Sequence, residues 1–393
     1  MKKRIGLIFS KVPAYSETFF RNKIAALEEA GYTVVVLAGG GRRPDQRYAH
    51  ISIGYDTYST GITKALAAIT AALRLMGSPR RTIRLYRKNQ QDGFSANNNL
   101  KSLLNAAHII GHRLDWLHFG FASNALYLEN LAAIMGAKMA VSIRGFDISI
   151  QPLKQPGCYA LLWKRIDKLH YISDALYRKA LADGLSPLVA AVRIEPAADL
   201  EILRWASTPT PAPDKVVRFL TIGRLSWKKG YVQTFMALAA LKAGGQRFTY
   251  RIVGDGDDIE MILYMRKALG LEQEVVLEGR KSHPETLQLL NACDIYLQYS
   301  VQEGYCNAVV EAQLFGRPCI VSDAEGLPEN VIHGVTGWVV PANHPERLHE
   351  KITEVLALSA ADQAMVGTAA SARIRQSLSL EGQLQKFISF YES

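Results

Sequence analysis

Short runs of apolar, often β-branched residues alternate along the chain with longer stretches in which apolar residues recur every three or four positions. Residues 4–10 and Thr33–Ala38 are two such runs, and residues 17–30 between them have a helical spacing that stops at Gly31. Apolar runs separated by amphipathic helices predict parallel strands, because a parallel pair needs a long crossover. The pattern therefore predicts a β-α-β opening and an α/β fold class built on parallel sheets.

The same alternation predicts the later strands. In the first half these are Trp116–Phe119 and Lys138–Ile143. In the second half they are residues 216–222, 249–253, 275–277, Ile295–Gln298, 318–322 and 338–341, separated by helices that include one from Tyr231 and one over His283–Ala292.

A change of composition divides the chain. Residues 208–215 begin with TPTPAPD, a sequence typical of an extended polar linker. We therefore expect an acceptor-side domain at 1–207 and a nucleotide-sugar domain at 216–393, with the last helix able to pack back on the first domain.

Length and composition indicate two soluble domains, since the 393 residues are 48% hydrophobic with a formal net charge of +10. The charge favours an anionic partner but does not choose among a nucleotide, a nucleic acid and an acidic membrane. Four cysteines without a CxxC pair or zinc-type spacing predict reduced thiols and no metal site. The short apolar run at the N-terminus predicts a buried strand instead of a signal peptide. No stretch of the sequence is apolar for long enough to predict a transmembrane helix. We therefore expect a cytoplasmic protein.

The stretch from Ile62 to Lys88 combines a helical Ala/Leu/Ile pattern with many basic residues and no acidic one. This composition is typical of a helix lying on the anionic inner face of a membrane. A solvated basic face on a packed helix explains it equally well.

Residues 301–330 contain the most distinctive chemistry. Glu303 is predicted on a loop, and Glu311 on a helix that Gly316 and Pro318 close. At the start of this helix the backbone amides of residues 304–307 suit a diphosphate. The two acids would then face one ligand, although both could also simply be solvated or complement the helix dipole.

Other loops at the predicted carboxyl ends of strands bring further candidates. Arg224, Lys228 and Lys229 lie between glycines and could bind a diphosphate, or form a solvated basic turn. Gly254 allows a close backbone approach, whereas Asp255 could instead cap the next helix.

In the first half, His118, Arg144 and Asp147 follow strands in HFGFAS and RGFDIS. A histidine that ends a strand is more often structural. The first loop, KVPAYSET, contains Ser16 as a plausible N-cap and no glycine, which argues against a dinucleotide-binding G-x-G-x-x-G motif.

Four motifs of the second half resemble the retaining glycosyltransferases of family 4. They are GRLSWKKG, VGDGDD, EGYCNAVVEAQLFGRP and EGLPENVIHGVTGWVVP, in that order. The first half is similar more loosely, through SETFFRNKIAALEEAGYTV, LHFGFAS and IRGFDIS, to members that build bacterial exopolysaccharide or lipid-linked oligosaccharide. The resemblance implies a GT-B fold, in which two Rossmann-like domains with parallel sheets face each other across a cleft.

The resemblance also implies roles. Arg224 and Lys229 would neutralise the donor diphosphate, Glu311 would hold the ribose hydroxyls and Glu303 would contact the donor sugar. The donor-binding set predicted from these motifs is Glu311, Gly254, Asp255, Gly304, Tyr305, Cys306, Asn307 and Lys228, beside the catalytic candidates Glu303, Lys229, Arg224, His118 and Arg144. The acceptor-side set is Tyr15, Ser16, Glu17 and Asp147, together with His118 and Arg144.

Two departures from the family concern the sugar side. Arg144 stands where the family commonly has a histidine, and arginine cannot act as a general base. Residues 196–199 read PAAD in place of Asn-Gly-Val-Asp, and the glycine-rich first loop is missing.

The resulting hypothesis is a retaining hexosyltransferase that moves a sugar from a nucleoside-diphosphate donor, with UDP or GDP favoured, to a hydroxyl of a glycan, lipid-linked or small-molecule acceptor. It would act in bacterial surface polysaccharide or glycoconjugate synthesis, need no cofactor or metal, and bind no nucleic acid. Two alternatives stay open: a GT-B epimerase or phosphorylase, and a non-catalytic subunit that binds a nucleotide sugar.

Overall fold

The computed structural model describes residues 2–12, 18–39, 48–54, 61–205 and 216–392. The chain forms two compact units: unit 1 is Met1–Glu195 with Gln383–Ser393, and unit 2 is Pro196–Gly382. The linker predicted at 208–215 lies outside the described residues. Unit 2 begins before that segment, because the 3₁₀ helix Leu200–Trp205 packs against a helix of unit 2 at His283–Ala292.

Unit 1 contains a seven-stranded sheet whose described strand pairs are all parallel. Its strands are β1 (Arg4–Phe9), β2 (Thr33–Ala38), β3 (Ile51–Ile53), β4 (Trp116–Phe119), β5 (Lys138–Ile143), β6 (Lys168–Tyr171) and β7 (Ala190–Arg193). Their order in the sheet is β3-β2-β1-β4-β5-β6-β7. The predicted strands β2, β4 and β5 are confirmed because each is a nearly continuous buried run.

Helices cover this sheet. They are α1 (Thr18–Glu29), α2 (Gly61–Met76), α3 (Pro79–Gln91), α4 (Ala96–Ala106), α5 (Leu131–Met135), α6 (Phe146–Ser149), α7 (Gln151–Lys154), α8 (Ala160–Arg165) and α9 (Asp174–Ala182). The single helical stretch expected between Ile62 and Lys88 is two helices. Pro79 separates them, since proline at the first turn starts α3 but could not continue α2.

Unit 2 contains a six-stranded sheet, again with parallel pairing throughout its described strands. Its strands are β8 (Val217–Ile222), β9 (Phe248–Val253), β10 (Val275–Gly279), β11 (Ile295–Gln298), β12 (Cys319–Ser322) and β13 (Trp338–Val340). Its helices are α10 (Tyr231–Ala243), α11 (Ile259–Ala268), α12 (His283–Ala292), α13 (Asn307–Leu314), α14 (Pro345–Ala357) and α15 (Ala360–Ser377). The order β10-β9-β8-β11-β12-β13 repeats the doubly wound pattern of unit 1.

The last helix, α16 (Leu380–Glu392), packs on the sheet of unit 1. Phe387, Phe390 and Tyr391 join a core cluster with Trp116 of β4 and Ile5 of β1. The Trp116 indole N–H donates to the Tyr391 carbonyl at 3.0 Å. The α/β fold class with parallel sheets is thus confirmed, and the C-terminal residues complete the core of unit 1.

Candidate functional site

The sheet of unit 2 changes direction of winding between β8 and β11. These strands are hydrogen-bonded neighbours, but the chain builds β9 and β10 on one side before it returns to β11 on the other. In open parallel sheets, ligands bind at the carboxyl ends of the strands beside such a switch point. The loops that leave β8 and β11 there contain Arg224, Lys229 and Glu303.

Lys229 and Glu303 form an ion pair between these two loops. Lys229 Nζ lies 2.5 Å from Glu303 Oε2, and the two side chains are only 17% and 15% exposed. The backbone joins the loops as well, because the amides of Val301 and Gln302 donate to the Lys228 carbonyl at 2.7 and 3.2 Å. The structure therefore brings together the two residues that the sequence assigned to leaving-group and sugar contacts.

Electrostatics keep the Lys229 ammonium charged. Burial lowers the pKa of Lys229, but the charge and hydrogen bond of Glu303 more than offset this effect, so its pKa lies above the ordinary value. Ser300 Oγ also donates to Glu303 Oε2 at 3.4 Å. A fixed cation results at the carboxyl edge of the sheet.

Two glycines allow close backbone contacts of the loop after β8 with the loops after β11 and β9. Gly230 has φ +64, and a Cβ at this position would lie 2.0 Å from the Tyr299 carbonyl oxygen. Gly254 has φ +144, and its Cβ would lie 2.0 Å from the Gly223 carbonyl oxygen. Both positions need glycine for backbone conformation and for space.

Arg224, Lys228 and Asp255 surround this centre. Arg224 is exposed, and within the described residues its guanidinium has no ion-pair partner. Lys228 Nζ lies 5.9 Å from the centre of the Trp227 ring. Asp255 does not cap α11, whose N-cap is Asp258; its carboxylate instead lies 3.2 Å from Arg280 Nε.

Residues 304–307 are placed as predicted at the start of α13, but not all their amides are available. Gly304, Tyr305 and Cys306 are buried and Asn307 is exposed. The Cys306 amide donates to Asn330 Oδ1 at 3.2 Å, and the Asn330 side-chain amide donates back to the Cys306 carbonyl at 3.2 Å. The prediction that this amide binds phosphate is therefore wrong, because the fully buried Asn330 occupies it.

The Cys306 side chain does not contribute a thiolate. Burial raises the pKa of Cys306 to about 12, and the charge of Glu303 acts in the same direction. The cysteine is thus protonated at neutral pH and packs as a small apolar residue.

Glu311 lies on the half-exposed face of α13, as its spacing from the buried Val310 predicts. Its Oε1 lies 3.4 Å from His283 Nε2 at the start of α12. Chiefly through this hydrogen bond, the pKa of His283 lies above its ordinary value. The sequence did not single out His283, because only the fold places α12 beside α13.

In unit 1 the structure contradicts the assignment of His118 to the site. His118 is 0% exposed. Its Nδ1 lies 2.5 Å from Tyr391 Oη and its Nε2 lies 2.8 Å from Ser142 Oγ. Both ring nitrogens are occupied beneath α16, so His118 is a packing residue and cannot contact a substrate.

Asp147 is also a structural residue and not an acceptor contact. Its carboxylate is fully buried and accepts hydrogen bonds from the backbone amides of Arg144, Gly145 and Ala122, at 3.0, 2.9 and 3.1 Å. These bonds tie the loop after β5 to the loop after β4. Burial nevertheless raises the pKa of Asp147.

Arg144 is half-buried, and its guanidinium carbon lies 4.6 Å from the centre of the Phe20 ring. This cation–π contact holds the side chain against α1. The other acceptor-side candidates, Tyr15, Ser16 and Glu17, lie outside the described residues.

The described part of the chain holds no cluster of three or more His, Cys, Asp or Glu side chains arranged for a metal ion. Its helices also include none with the length and apolar character needed to cross a membrane.

Comparisons with known proteins identify the enzyme class and the fold. Residues 207–372 match the family described as "Glycosyl transferases group 1". A putative colanic acid biosynthesis glycosyltransferase of Escherichia coli (strain K12) is 28% identical over 370 residues, which cover 89% of each chain. An amylovoran biosynthesis glycosyltransferase of Erwinia amylovora is 30% identical over 249 residues, 59% of this chain and 58% of that protein.

Solved structures share the fold over nearly the whole chain. Anabaena HepE in complex with UDP and glucose has a TM-score of 0.73 at 17% identity and is covered over 98% of both chains. Sucrose-phosphate synthase from Thermosynechococcus elongatus has a TM-score of 0.75 at 15% identity, over 100% of this chain and 98% of that one. The GT-B fold is thereby confirmed, and with the sequence matches the chain is a glycosyltransferase.

Proposed function

We propose that the chain transfers a sugar from a nucleoside diphosphate to a hydroxyl acceptor with retention of the anomeric configuration. The observation that carries this proposal is the Lys229–Glu303 ion pair at the carboxyl edge of the unit 2 sheet. It supports a site in which a permanent cation faces the departing diphosphate while a carboxylate contacts the donor sugar.

In the proposed reaction, the bond between the anomeric carbon and the diphosphate oxygen breaks as the acceptor oxygen bonds to the same face of that carbon. The acceptor proton passes to the departing diphosphate. Negative charge develops on the leaving group, and Lys229 and Arg224 stabilise it. Glu311 holds the ribose hydroxyls, and the remaining amides at the start of α13 support the phosphates.

These cations take the role that a divalent metal has in other transferases, so we propose a reaction that needs no metal or other cofactor. The donor nucleotide is UDP or GDP, and the UDP complex of the structurally similar Anabaena HepE favours UDP.

A donor hydrolysis screen tests this proposal. Purified protein is incubated with UDP-, GDP-, ADP- and dTDP-sugars in the presence of EDTA, and the released nucleoside diphosphate is measured. We expect release from one donor class, and loss of that release in the Glu303→Ala and Lys229→Ala variants. Binding without release, even when a membrane extract supplies acceptors, would overturn the proposal; release only after Mg²⁺ is restored would overturn the metal-free part.

We propose bacterial surface polysaccharide synthesis as the context, supported by the names of the two sequence relatives above. The acceptor is a glycan or a lipid-linked sugar, and the protein acts in the cytoplasm at the inner face of the membrane.

An exposed apolar stripe on α2 supports the membrane contact. Leu66, Ile69, Leu73 and Met76 are 58%, 57%, 59% and 64% exposed. Their spacing places them on one side of the helix, where a globular surface rarely exposes so many large apolar side chains. An anionic lipid surface suits this stripe, because the neighbouring α3 adds exposed arginines.

The basic residues of α3 have two different roles. Arg80, Arg84 and Arg87 are exposed. Arg81 instead donates to the carbonyls of Ile110 and His112, at 2.8 and 2.9 Å. Only the first three are free to face lipid headgroups, so Arg81 is left unchanged in the test of membrane binding.

Sedimentation with vesicles tests the contact. We expect binding to phosphatidylglycerol-containing vesicles at low salt, weaker binding at high salt, and loss of binding in the Leu66→Asp/Leu73→Asp and Arg80→Glu/Arg84→Glu variants. Leu188→Asp is the matched control, since Leu188 is a 94% exposed leucine on another part of unit 1. Equal, negligible sedimentation of the unmodified protein at both salt concentrations would remove the membrane contact from the proposal.

A further inference from the structure

Strand β11 and the two residues after it alternate between apolar and polar surroundings. The odd-numbered residues belong to the apolar core of unit 2; they are Ile295, Leu297 and Tyr299. The even-numbered residues are Tyr296, Gln298 and Ser300, each 0% exposed. Successive side chains of a strand point to opposite faces, so a row of buried polar groups runs along the other face of β11 towards its carboxyl end.

This row is one chain of hydrogen bonds that ends at Glu303. The Tyr296 hydroxyl accepts from the Ile222 amide at 3.2 Å and donates to Gln298 Oε1 at 3.0 Å. Gln298 Nε2 in turn donates to Ser300 Oγ at 2.8 Å. Because Ser300 Oγ accepts this bond, its own hydrogen can go to another acceptor. That acceptor is Glu303 Oε2, at 3.4 Å.

Two donors therefore meet on the same oxygen of Glu303. Lys229 Nζ lies 2.5 Å from Oε2, the oxygen to which Ser300 also donates. The backbone of Ser300 is fixed as well, since Ser322 Oγ donates to its carbonyl. Among the described residues, both side-chain hydrogen bonds to the carboxylate are on Oε2. The contacts thus set how the carboxylate is turned and leave Oε1 to a ligand.

Packing alone does not explain a glutamine in the middle of a buried strand. An apolar side chain of similar volume would fill the same space, whereas a buried amide is stable only while its hydrogen bonds are made. The bonds of Gln298 lie within this chain, between Tyr296 and Ser300. A buried network in which each member has a partner is rigid and favours one arrangement. The polar row is therefore suited to hold the group at its end, which is the Glu303 carboxylate.

We propose that Gln298 and Ser300 are positioning residues that hold the Glu303 carboxylate in the orientation that turnover requires. Both are fully buried, so they act on the donor only through Glu303. Tyr296 anchors the other end of the chain at the backbone of β8. The link to turnover rests on the proposed function, but the hold on the carboxylate does not.

The carboxyl carbon of Glu303 tests this hold in the absence of a donor. The full-length protein is labelled with ¹³C at the side-chain carboxyl of glutamate, and the Glu303 signal is assigned with Glu303→Gln. We expect this signal to shift in Ser300→Ala and in Gln298→Met, which nearly keeps the side-chain volume but has no N–H donor.

A matched control removes a different buried hydrogen bond beside β11. Thr221 Oγ1 donates to the Leu297 carbonyl at 2.6 Å and lies 2.7 Å from the Tyr250 hydroxyl. We expect Thr221→Val to leave the Glu303 signal where it is. An unshifted signal in Gln298→Met, or an equal shift in Thr221→Val, would overturn the proposal.

Turnover and nucleotide binding separate positioning from general damage to the fold. We expect Ser300→Ala and Gln298→Met each to lower kcat for donor release about tenfold, the effect of losing one hydrogen bond to a charged group, and to keep the Kd for the nucleoside diphosphate within about twofold. The double variant should be no slower than Ser300→Ala, because both changes interrupt the same chain. Unchanged kcat in both single variants, or fully additive losses in the double variant, would overturn the positioning role.

The two measurements keep this proposal apart from the proposed function. A shifted Glu303 signal in a protein that releases no donor would retain the hold on the carboxylate and reject the transferase mechanism. Donor release with an unshifted signal would retain the mechanism and reject the positioning role.

Discussion

Lys229 Nζ lies 2.5 Å from Glu303 Oε2, in an ion pair that joins the loops after β8 and β11. Both side chains are mostly buried, so solvent alone does not stabilise either charge. An ion pair of this kind fixes a cation at the edge of the sheet before any donor arrives. Catalysis by stabilising a leaving group depends on such fixed charges.

Replacing Lys229 with Ala should lower the rate of donor release by about a hundredfold or more, since one contact to a developing anion contributes roughly 3–4 kcal/mol. The release of nucleoside diphosphate, measured under saturating donor, checks this value. Lys267→Ala is the control, because Lys267 is an exposed lysine on α11.

A double variant distinguishes catalysis from support of Glu303. If Lys229 only positioned Glu303, the Lys229→Ala/Glu303→Ala protein would be no slower than Glu303→Ala alone. We expect it to be slower, because in the proposed site the Lys229 cation acts on the diphosphate while the Glu303 carboxylate acts on the sugar.

Substitution of Glu311 should mainly weaken nucleotide binding, whereas substitution of Glu303 should mainly lower turnover. In the proposed site the Glu311 carboxylate accepts hydrogen bonds from the ribose hydroxyls, so Glu311→Ala should raise the Kd for the nucleoside diphosphate about ten- to a hundredfold. Glu303→Ala should leave this Kd within about threefold and mainly lower kcat. Calorimetric titration and steady-state release measure the two quantities. The opposite pattern would mean that the two acids have exchanged roles.

Substitution of Gly230 should damage both stability and turnover. In Gly230→Ala the new Cβ would lie 2.0 Å from the Tyr299 carbonyl oxygen, so the Lys229 loop must move away from the loop that contains Glu303. Gly245→Ala is a matched control, because Gly245 also has positive φ, at +83, but nothing within 4 Å of its Cβ position.

The two glycines share a left-handed backbone, but only at Gly230 does the new Cβ meet a backbone atom. We expect Gly245→Ala to cost about 1 kcal/mol of stability and Gly230→Ala about 2–4 kcal/mol, with donor release reduced only in the second. Thermal unfolding and donor release check these values. Equal losses of stability would show that the left-handed backbone, and not the contact with Tyr299, decides the effect.

The sequence predicted most of the fold and the centre of the site from local patterns. Strands such as β2 and β11 are continuous apolar runs, and such runs are buried on both faces of a parallel sheet whatever surrounds them. Glu303 and Lys229 are on loops after such strands, so their meeting follows from the rule that carboxyl ends share one edge. The sequence does not predict β3, β6 and β7. The edge strands β3 and β7 are short and only partly buried, and β6 has only four residues, of which Lys168 and His170 are polar.

The incorrect site assignments depend on contacts between distant segments. His118 has the position of a ligand contact, but Tyr391 of α16 covers it. The Cys306 amide is at a helix start, but Asn330 occupies it. No periodicity links such positions, so local reasoning could not detect that these polar groups were already satisfied.

The histidines beneath α16 should make unit 1 sensitive to acid. His170 Nε2 lies 2.9 Å from the Ile194 carbonyl, which can only accept, so this nitrogen carries the proton. Ser142 then donates to His170 Nδ1 and accepts from His118 Nε2, which leaves His118 Nδ1 to accept from Tyr391. Every hydrogen bond in this chain has one donor and one acceptor only while both histidines are neutral. Accordingly burial, aided by nearby cationic side chains, lowers the pKa of both.

The sign of the effect follows from proton uptake. The unfolded chain binds a proton on each histidine below about pH 6.5, whereas the folded chain resists protonation, so stability is lost as the pH falls below that value, at about 1.4 kcal/mol per unit for each histidine. Hydrogen exchange of residues 380–392 at pH 7 and pH 5.5, corrected for intrinsic rates, measures this loss. His118→Gln should start with weaker protection at pH 7 but lose less of it on acidification, while His349→Gln on α14 should follow the unmodified protein. The same loss in the His118 variant as in the unmodified protein would place the acid sensitivity elsewhere.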